Sequence, residues 1–138
     1  MLADDDDDDR DLFSEAISSS DTTVTSVCNG KELMKVLTDE TVLPDCVFID
    51  LNMPEKSGME CLLEIRQSEK LRTLPVIIYS TSSNRKDIEE TYALGANLYV
   101  VKPGSFKALC DTLTRIVGFD WNQQRLLTSE SNYVFKIN

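Results

Sequence analysis

Four stretches of this chain each end a run of apolar or β-branched residues in a group that can do chemistry. Leu2-Ala3 runs into Asp4-Asp5, Val47-Phe48-Ile49 into Asp50, Val76-Ile77-Ile78-Tyr79 into Ser80, and Leu98-Tyr99-Val100-Val101 into Lys102. Carboxylates gathered at one edge repel one another unless a hard cation lies between them. Mg²⁺ suits such a set, because it takes oxygen ligands and keeps waters and phosphate oxygens in its shell. A carboxylate can also attack phosphorus and form an acyl phosphate. A lysine then offers a compact positive charge to the phosphoryl oxygens, and a serine hydroxyl offers a hydrogen bond. Each member has a plainer explanation. The run from Asp4 to Asp9 could be a solvated acidic segment, Asp50 a turn former, Ser80 the start of a loop and Lys102-Pro103 punctuation. The four in this order at strand ends are far more specific than any one.

The elements that must position them alternate. Thr22 to Val27 and Asp45 to Asp50 read as strands beside the apolar runs already named. Asp6 or Asp7 caps a first helix carrying Leu12, Phe13, Ala16 and Ile17. Asn29-Gly30 opens a second helix with Leu33, Met34, Val36 and Leu37. Gly58 opens a third with Met59, Leu62, Leu63 and Ile65 inward. Lys86 to Leu94 forms a fourth, ended by Gly95, and Ser105 caps a fifth with Phe106, Leu109, Cys110, Leu113, Ile116 and Val117 on one face. Five strands alternating with five helices predict an α/β fold, a doubly wound parallel sheet in the order 2-1-3-4-5. Ligands of such sheets bind at the carboxyl ends of the strands, so the four ends converge on one pocket. The first strand is unusually short for a central one.

Composition narrows the function. The chain has 138 residues, enough for one domain with a core. A formal net charge of -10 argues against nucleic-acid binding, which needs a basic face. No apolar run is long enough to span a membrane and no signal peptide is evident, so a cytoplasmic location is expected. The absence of histidine excludes Ser-His and Cys-His nucleophiles and most zinc sites. Cys28, Cys46, Cys61 and Cys110 form no Cys-x-x-Cys pair and read as reduced, mostly buried side chains.

Through about Gly118 the chain resembles the receiver domains of two-component response regulators, most closely the stand-alone, single-domain type. The resemblance rests on Leu2-Ala3-Asp4-Asp5, Phe48-Ile49-Asp50-Leu51-Asn52-Met53-Pro54 with Gly58, Pro75-Val76-Ile77-Ile78-Tyr79-Ser80, Gly95-Ala96 and Tyr99-Val100-Val101-Lys102-Pro103. It implies a flavodoxin-like (βα)5 fold with Asp50 as phosphoacceptor. Asp5 would ligate Mg²⁺ directly and Asp4 through water, with Asp50 and the backbone carbonyl of Asn52 completing the protein ligands. Ser80 would be the switch hydroxyl, Lys102 the phosphate-binding lysine and Tyr99 the aromatic switch partner, although an aromatic in a strand is ordinarily just core. Asn52 and Ser82 become candidates for tuning acyl-phosphate lifetime, and a cis Lys102-Pro103 peptide is implied. Thr81 departs from the smaller residue that many receivers carry after the switch hydroxyl.

The function implied is a phosphorylated signalling switch rather than an enzyme, with at most slow self-phosphorylation and autodephosphorylation. A histidine kinase or histidine phosphotransfer protein would donate the phosphoryl group. Phosphorylation would draw Ser80 inward and Tyr99 into the vacated space, changing the face of the fourth helix, fifth strand and fifth helix for a protein target. The alternative is a Mg²⁺-dependent phosphohydrolase with an aspartyl-phosphate intermediate. Such enzymes place a second acid two residues after the nucleophile, where this chain has Asn52. Residues 1–118 are assigned to the receiver domain and 119–138 to a C-terminal extension that is not a separate domain. With Trp121, Tyr133 and Phe135 among polar residues, the extension reads as a loosely docked tail. The alternative is an ordered segment packing on the domain or on a second copy, as in a homodimer.

Overall fold

In the computed structural model, residues 1–18, 20–121 and 130–136 are described. Five strands, β1 (Leu2–Ala3), β2 (Ser26–Val27), β3 (Val47–Ile49), β4 (Val76–Ser80) and β5 (Leu98–Val101), form one sheet in the order β2-β1-β3-β4-β5. Every pairing is parallel. The helices between and after them are α1 (Asp7–Ile17), α2 (Gly30–Asp39), α3 (Gly58–Gln67), α4 (Arg85–Ala93) and α5 (Phe106–Val117). The doubly wound fold expected from the alternation is therefore present.

Period-two alternation divides the core into two layers. Ala3, Val47, Ile49, Val76, Ile78 and Tyr99 face the layer built with α2, α3 and α4. Leu2, Phe48, Ile77, Tyr79, Leu98 and Val100 face the layer built with α1 and α5. Successive strand residues point to opposite faces, and both faces are covered, so the strands read as continuous apolar runs. On the α1 side, Phe13, Phe48 and Tyr79 meet edge to face at 5.0–6.2 Å.

The short β1 is held from both sides. Leu2 N–H donates to the Thr25 carbonyl and Asp4 N–H to Val27, while Phe48 and Asp50 N–H donate to the carbonyls of Met1 and Ala3. Both β1 side chains are fully buried. Two residues suffice because every backbone group on either edge is paired. β2 covers only Ser26–Val27 of the predicted Thr22 to Val27, and β3 only Val47–Ile49 of the predicted Asp45 to Asp50.

Capping residues set the helix starts. Asp6, Asn29, Ser57, Asn84 and Ser105 each accept a backbone N–H of the first turn through a side-chain oxygen. Gly95 follows α4 with φ 96°, the left-handed conformation expected of a terminating glycine.

Four expectations need correction. Leu63 and Phe106 point outward, as does Leu12, and on α3 Cys61 takes the inward place, its thiol directed at the Gly30 carbonyl. Helical period alone does not distinguish adjacent apolar positions. Cys28 is exposed beside Glu32 and only Cys61 is fully buried, although all four thiols are free. The Lys102-Pro103 peptide is trans, as are the other described peptide bonds. The trans preference before proline is only about 0.5–1 kcal/mol, so the motif alone does not set the isomer. The C-terminal extension is not loosely docked where it is described. Trp121 and Tyr133 are buried, and Val134 bridges Tyr99 in parallel along the free edge of β5. Its aromatic side chains offset the cost of ordering it. Among the described residues no helix is long and apolar enough to cross a membrane.

Candidate functional site

The sheet register delivers the chemistry to one edge. Ala3 pairs with Ile49, so Asp4 and Asp50 emerge side by side one residue later. Ser80 pairs with Val101, so Lys102 leaves the next strand at the same level, and its N–H donates to the Ser80 carbonyl at 2.7 Å. Carboxylate oxygens of Asp4, Asp5 and Asp50 lie within 4.8 Å of one another. Asp4 is fully buried, Asp50 nearly so and Asp5 exposed, which leaves the cluster open on one side.

The loop after β3 is pressed against the site by Gly58. A Cβ there would stand 2.3 Å from the Asp50 carbonyl oxygen and 2.8 Å from Leu51 Cα, both backbone atoms. Only glycine lets α3 start this close to the end of the strand, where Gly58 N–H donates to the Leu51 carbonyl at 2.9 Å. Between them Glu55 adopts φ 65°, a left-handed conformation uncommon outside glycine.

Lys102 binds the carboxylates together. Its Nζ lies 2.8 Å from Asp4 Oδ2, 2.8 Å from Asp9 Oδ2 and 3.2 Å from Asp50 Oδ2. It also stands 5.2 Å from the centre of the Tyr79 ring. Burial opposes the ammonium, but hydrogen bonds to Asp4 and Asp9 and the charge of Asp50 outweigh it and hold the Lys102 pKa above its ordinary value. The Asp50 pKa is raised too, which for a carboxyl favours the neutral form. Burial and the charge of Asp4 raise its pKa from 3.8 to about 6, against the opposing pull of Lys102 and of the Asn52 N–H. That N–H donates to Asp50 Oδ1 at 3.3 Å. Asp4 is further fixed by the Asp6 N–H on its Oδ1 at 3.0 Å and by Arg10 Nη1 on its carbonyl at 2.7 Å.

Ser80 is fully buried, and its Oγ accepts the Ser82 N–H at 3.1 Å. The Ser82 hydroxyl donates to Asp87 Oδ2 of α4 at 2.7 Å, and the Ser82 carbonyl accepts the Tyr99 hydroxyl at 2.8 Å. Tyr99 is fully buried in this arrangement. The structure thus brings Asp4, Asp5, Asp50 and Lys102 together. It links Ser80 to Tyr99 through Ser82, and leaves the Asn52 side chain exposed at the rim.

Two participants were not singled out in the sequence. Asp9 lies one helical turn beyond the Asp6 cap, where α1 turns it back toward Lys102, but inside a run of aspartates nothing marks it. Arg10, paired with Asp7 and holding the Asp4 carbonyl, is equally unmarked.

Three converging carboxylates, two of them buried, fit a hard divalent cation with oxygen ligands. Asp4, Asp5 and Asp50 would hold it, and when bound it would offset negative charge on the phosphoryl group and on the attacking oxygen.

The sequence profile of the response regulator receiver domain matches residues 1–114. The probable methanogenesis regulatory protein FilR2 of Methanothrix harundinacea is 37% identical over 83 residues, 59% of this chain and 54% of its own. The response regulator Rcp1 of Synechocystis sp. is 37% identical over 76 residues, 55% of this chain and 52% of its own. This chain is therefore matched over about half the length of these two curated relatives. Among solved structures, the phosphorylated cyanobacterial phytochrome response regulator RcpA superposes with a TM-score of 0.78 at 34% identity, covering 83% of this chain and 87% of that one. The Mn²⁺-bound form of Rcp1 superposes with a TM-score of 0.77 at 30% identity, covering 86% and 90%.

Proposed function

Because this chain belongs to the response regulator receiver domain family, we propose that Asp50 is its phosphoacceptor and that the protein is a phosphorylation-driven switch in two-component signalling. The observation that supports this most is the ion cluster itself. Asp50 lies at the sheet edge with the carboxylates of Asp4 and Asp5 close by and the Lys102 ammonium 3.2 Å away, shared with Asp4.

Family members are phosphorylated by histidine kinases, and here the donor would be a histidine kinase or a histidine phosphotransfer protein. A carboxylate oxygen of Asp50 attacks phosphorus as the phosphorus–nitrogen bond of the phosphohistidine breaks, its electron pair leaving with the imidazole nitrogen. Mg²⁺ at Asp4, Asp5, Asp50 and the Asn52 carbonyl would supply charge compensation. Lys102 releases its contacts to the carboxylates as the phosphoryl oxygens arrive and follows the new negative charge. The Ser80 hydroxyl turns toward the same group, and Asn52 and Ser82, beside it, set how readily water reaches the acyl phosphate. The readout is the position of Tyr99 and, through it, the surface of α4, β5 and α5, offered to a protein target in the cytoplasm. Turnover is confined to slow self-phosphorylation and autodephosphorylation.

A phosphohydrolase is not favoured. Asn52 occupies the position of the leaving-group acid, and its amide is far too weak an acid to protonate a leaving group.

Incubation with acetyl phosphate and Mg²⁺ followed by intact-mass measurement tests the reading. One phosphoryl group should appear on the wild type and none on Asp50→Asn. Equal labelling of both, or none on either, would exclude it.

A further inference from the structure

The C-terminal segment lies beyond the span matched to the family, residues 1–114, yet it reaches the heart of the domain. Tyr99 N–H donates to the Tyr133 carbonyl at 2.9 Å, and Phe135 N–H donates to the Tyr99 carbonyl at 2.8 Å. These bonds add the segment in parallel to the open edge of β5. One side chain anchors it. Tyr133 is buried to 1% exposure, while residues 130–132 are exposed and Val134 and Phe135 only partly covered.

Among the described residues, the ring and hydrogen-bond contacts of that anchor are with α4 and Tyr99. The Tyr133 ring meets Tyr92 at 5.1 Å and Tyr99 at 6.1 Å, both edge to face. Its hydroxyl donates to Thr91 Oγ1 at 2.7 Å, and Thr91 Oγ1 donates onward to the Asp87 carbonyl at 2.8 Å. Tyr99 in turn holds the Ser82 carbonyl, Ser82 N–H holds Ser80 Oγ, and the Ser82 hydroxyl holds Asp87. Contacts thus run without a gap from Tyr133 to the Ser80 hydroxyl at the end of β4. A segment that merely finished the core would bury apolar surface anywhere along the open edge. This one places a hydrogen-bonding aromatic against Tyr99, the strand residue whose hydroxyl holds the Ser82 carbonyl, in the arrangement where Tyr99 is buried.

We propose that Tyr133 is a positioning residue for the switch: the tail binds the arrangement in which Tyr99 is buried, so tail docking and phosphorylation of Asp50 favour each other. The inference rests on the reading of Asp50 and Tyr99 given above and sets its direction. The tail is a built-in promoter of the phosphorylated form rather than an inhibitor that phosphorylation expels. Linkage makes the coupling reciprocal. Whatever Tyr133 adds to phosphoryl binding, phosphoryl binding adds to tail docking. A target that reads this edge of the sheet therefore meets β5 with the segment in place.

The test uses the full chain as wild type, Tyr133→Phe and Tyr133→Ala, titrated with beryllofluoride in Mg²⁺ as a phosphoryl mimic. Amide hydrogen exchange is followed in the wild type with and without the mimic. Tyr133→Ala should bind beryllofluoride about 5-fold or more weakly, the lower end of common coupling strengths. Tyr133→Phe, which keeps the ring and loses the Thr91 bond, should fall between it and the wild type. The Phe135 and Tyr99 amides should exchange more slowly once the mimic is bound. A tail that only stabilises the fold would lower the melting temperature of both variants and leave affinity and this added protection unchanged. That result, or faster exchange at Phe135 on binding, overturns the inference while leaving the phosphoacceptor reading intact. A wild type that does not bind the mimic overturns both.

Discussion

At the scale of single residues, Lys102 does for the metal-free site what a cation would do: it keeps Asp4, Asp9 and Asp50 from repelling one another. Replacing it by Met should therefore destabilise the metal-free protein by about 3 kcal/mol, as expected when buried carboxylates lose their partner. Saturating Mg²⁺ should restore much of the loss, and urea unfolding with and without the ion measures both. The raised pKa of Asp50 has a definite consequence for pH. The folded carboxyl holds its proton more tightly than the unfolded one, which titrates near 3.8. The stability it contributes is present below that value and lost as pH rises through about 6. Without divalent ions, Asp50→Asn should be more stable than wild type by about 1–2 kcal/mol at about pH 8, with the gain shrinking toward about pH 4. Denaturant titrations in chelator at the two pH values check this. A variant that loses stability at the higher pH would mean that the Lys102 pair outweighs the burial cost.

At the scale of elements, the site depends on where α3 begins. Gly58→Ala would set a methyl group against the backbone of Asp50 and Leu51, neither of which can yield without moving the end of β3. A destabilisation of about 3 kcal/mol is expected, at the upper end for overpacking. Phosphorylation should slow even in folded protein, and acetyl-phosphate labelling below the melting point separates the two effects. The same element shows what the sequence could and could not disclose. Gly58 follows an apolar strand and a proline loop, so its place at a helix start was legible. Asp4, Asp50, Ser80 and Lys102 were legible because each ends such a strand, and parallel strands in this order must end together. Leu63 was placed inward because the apolar stripe of α3 is broad, and only the contact of Cys61 with Gly30 shows which side of it is buried. Asp9 was hidden among aspartates because its role depends on the pitch of α1 and not on its neighbours. Tyr133 stood out as a tail aromatic, but its place beside Tyr99 was not legible, because a single strand pair outside the repeating pattern leaves no periodic trace.

At the scale of the whole molecule, a net charge of -10 sits on a fold that gathers part of it at one sheet edge, so a divalent ion should bind there and stabilise the native state. At a hundredfold excess over its dissociation constant the gain is about 2.7 kcal/mol, enough to raise the melting temperature by several degrees. Asp5 is exposed and should matter little to the metal-free fold. Asp5→Asn should leave the melting temperature in chelator within about a degree of wild type and remove most of the Mg²⁺-induced rise. A full rise in that variant would place the ion elsewhere. The central claim is narrower than any of these effects: one carboxylate, Asp50, carries the phosphoryl group. Borohydride reduces an acyl phosphate at aspartate to homoserine and leaves free carboxylates untouched. After treatment with acetyl phosphate and Mg²⁺, peptide mapping should find homoserine at position 50 and aspartate at positions 4 to 9, with conversion abolished by chelator. Homoserine within the acidic run, or unconverted aspartate at position 50 in protein that has gained the mass of a phosphoryl group, would contradict the account.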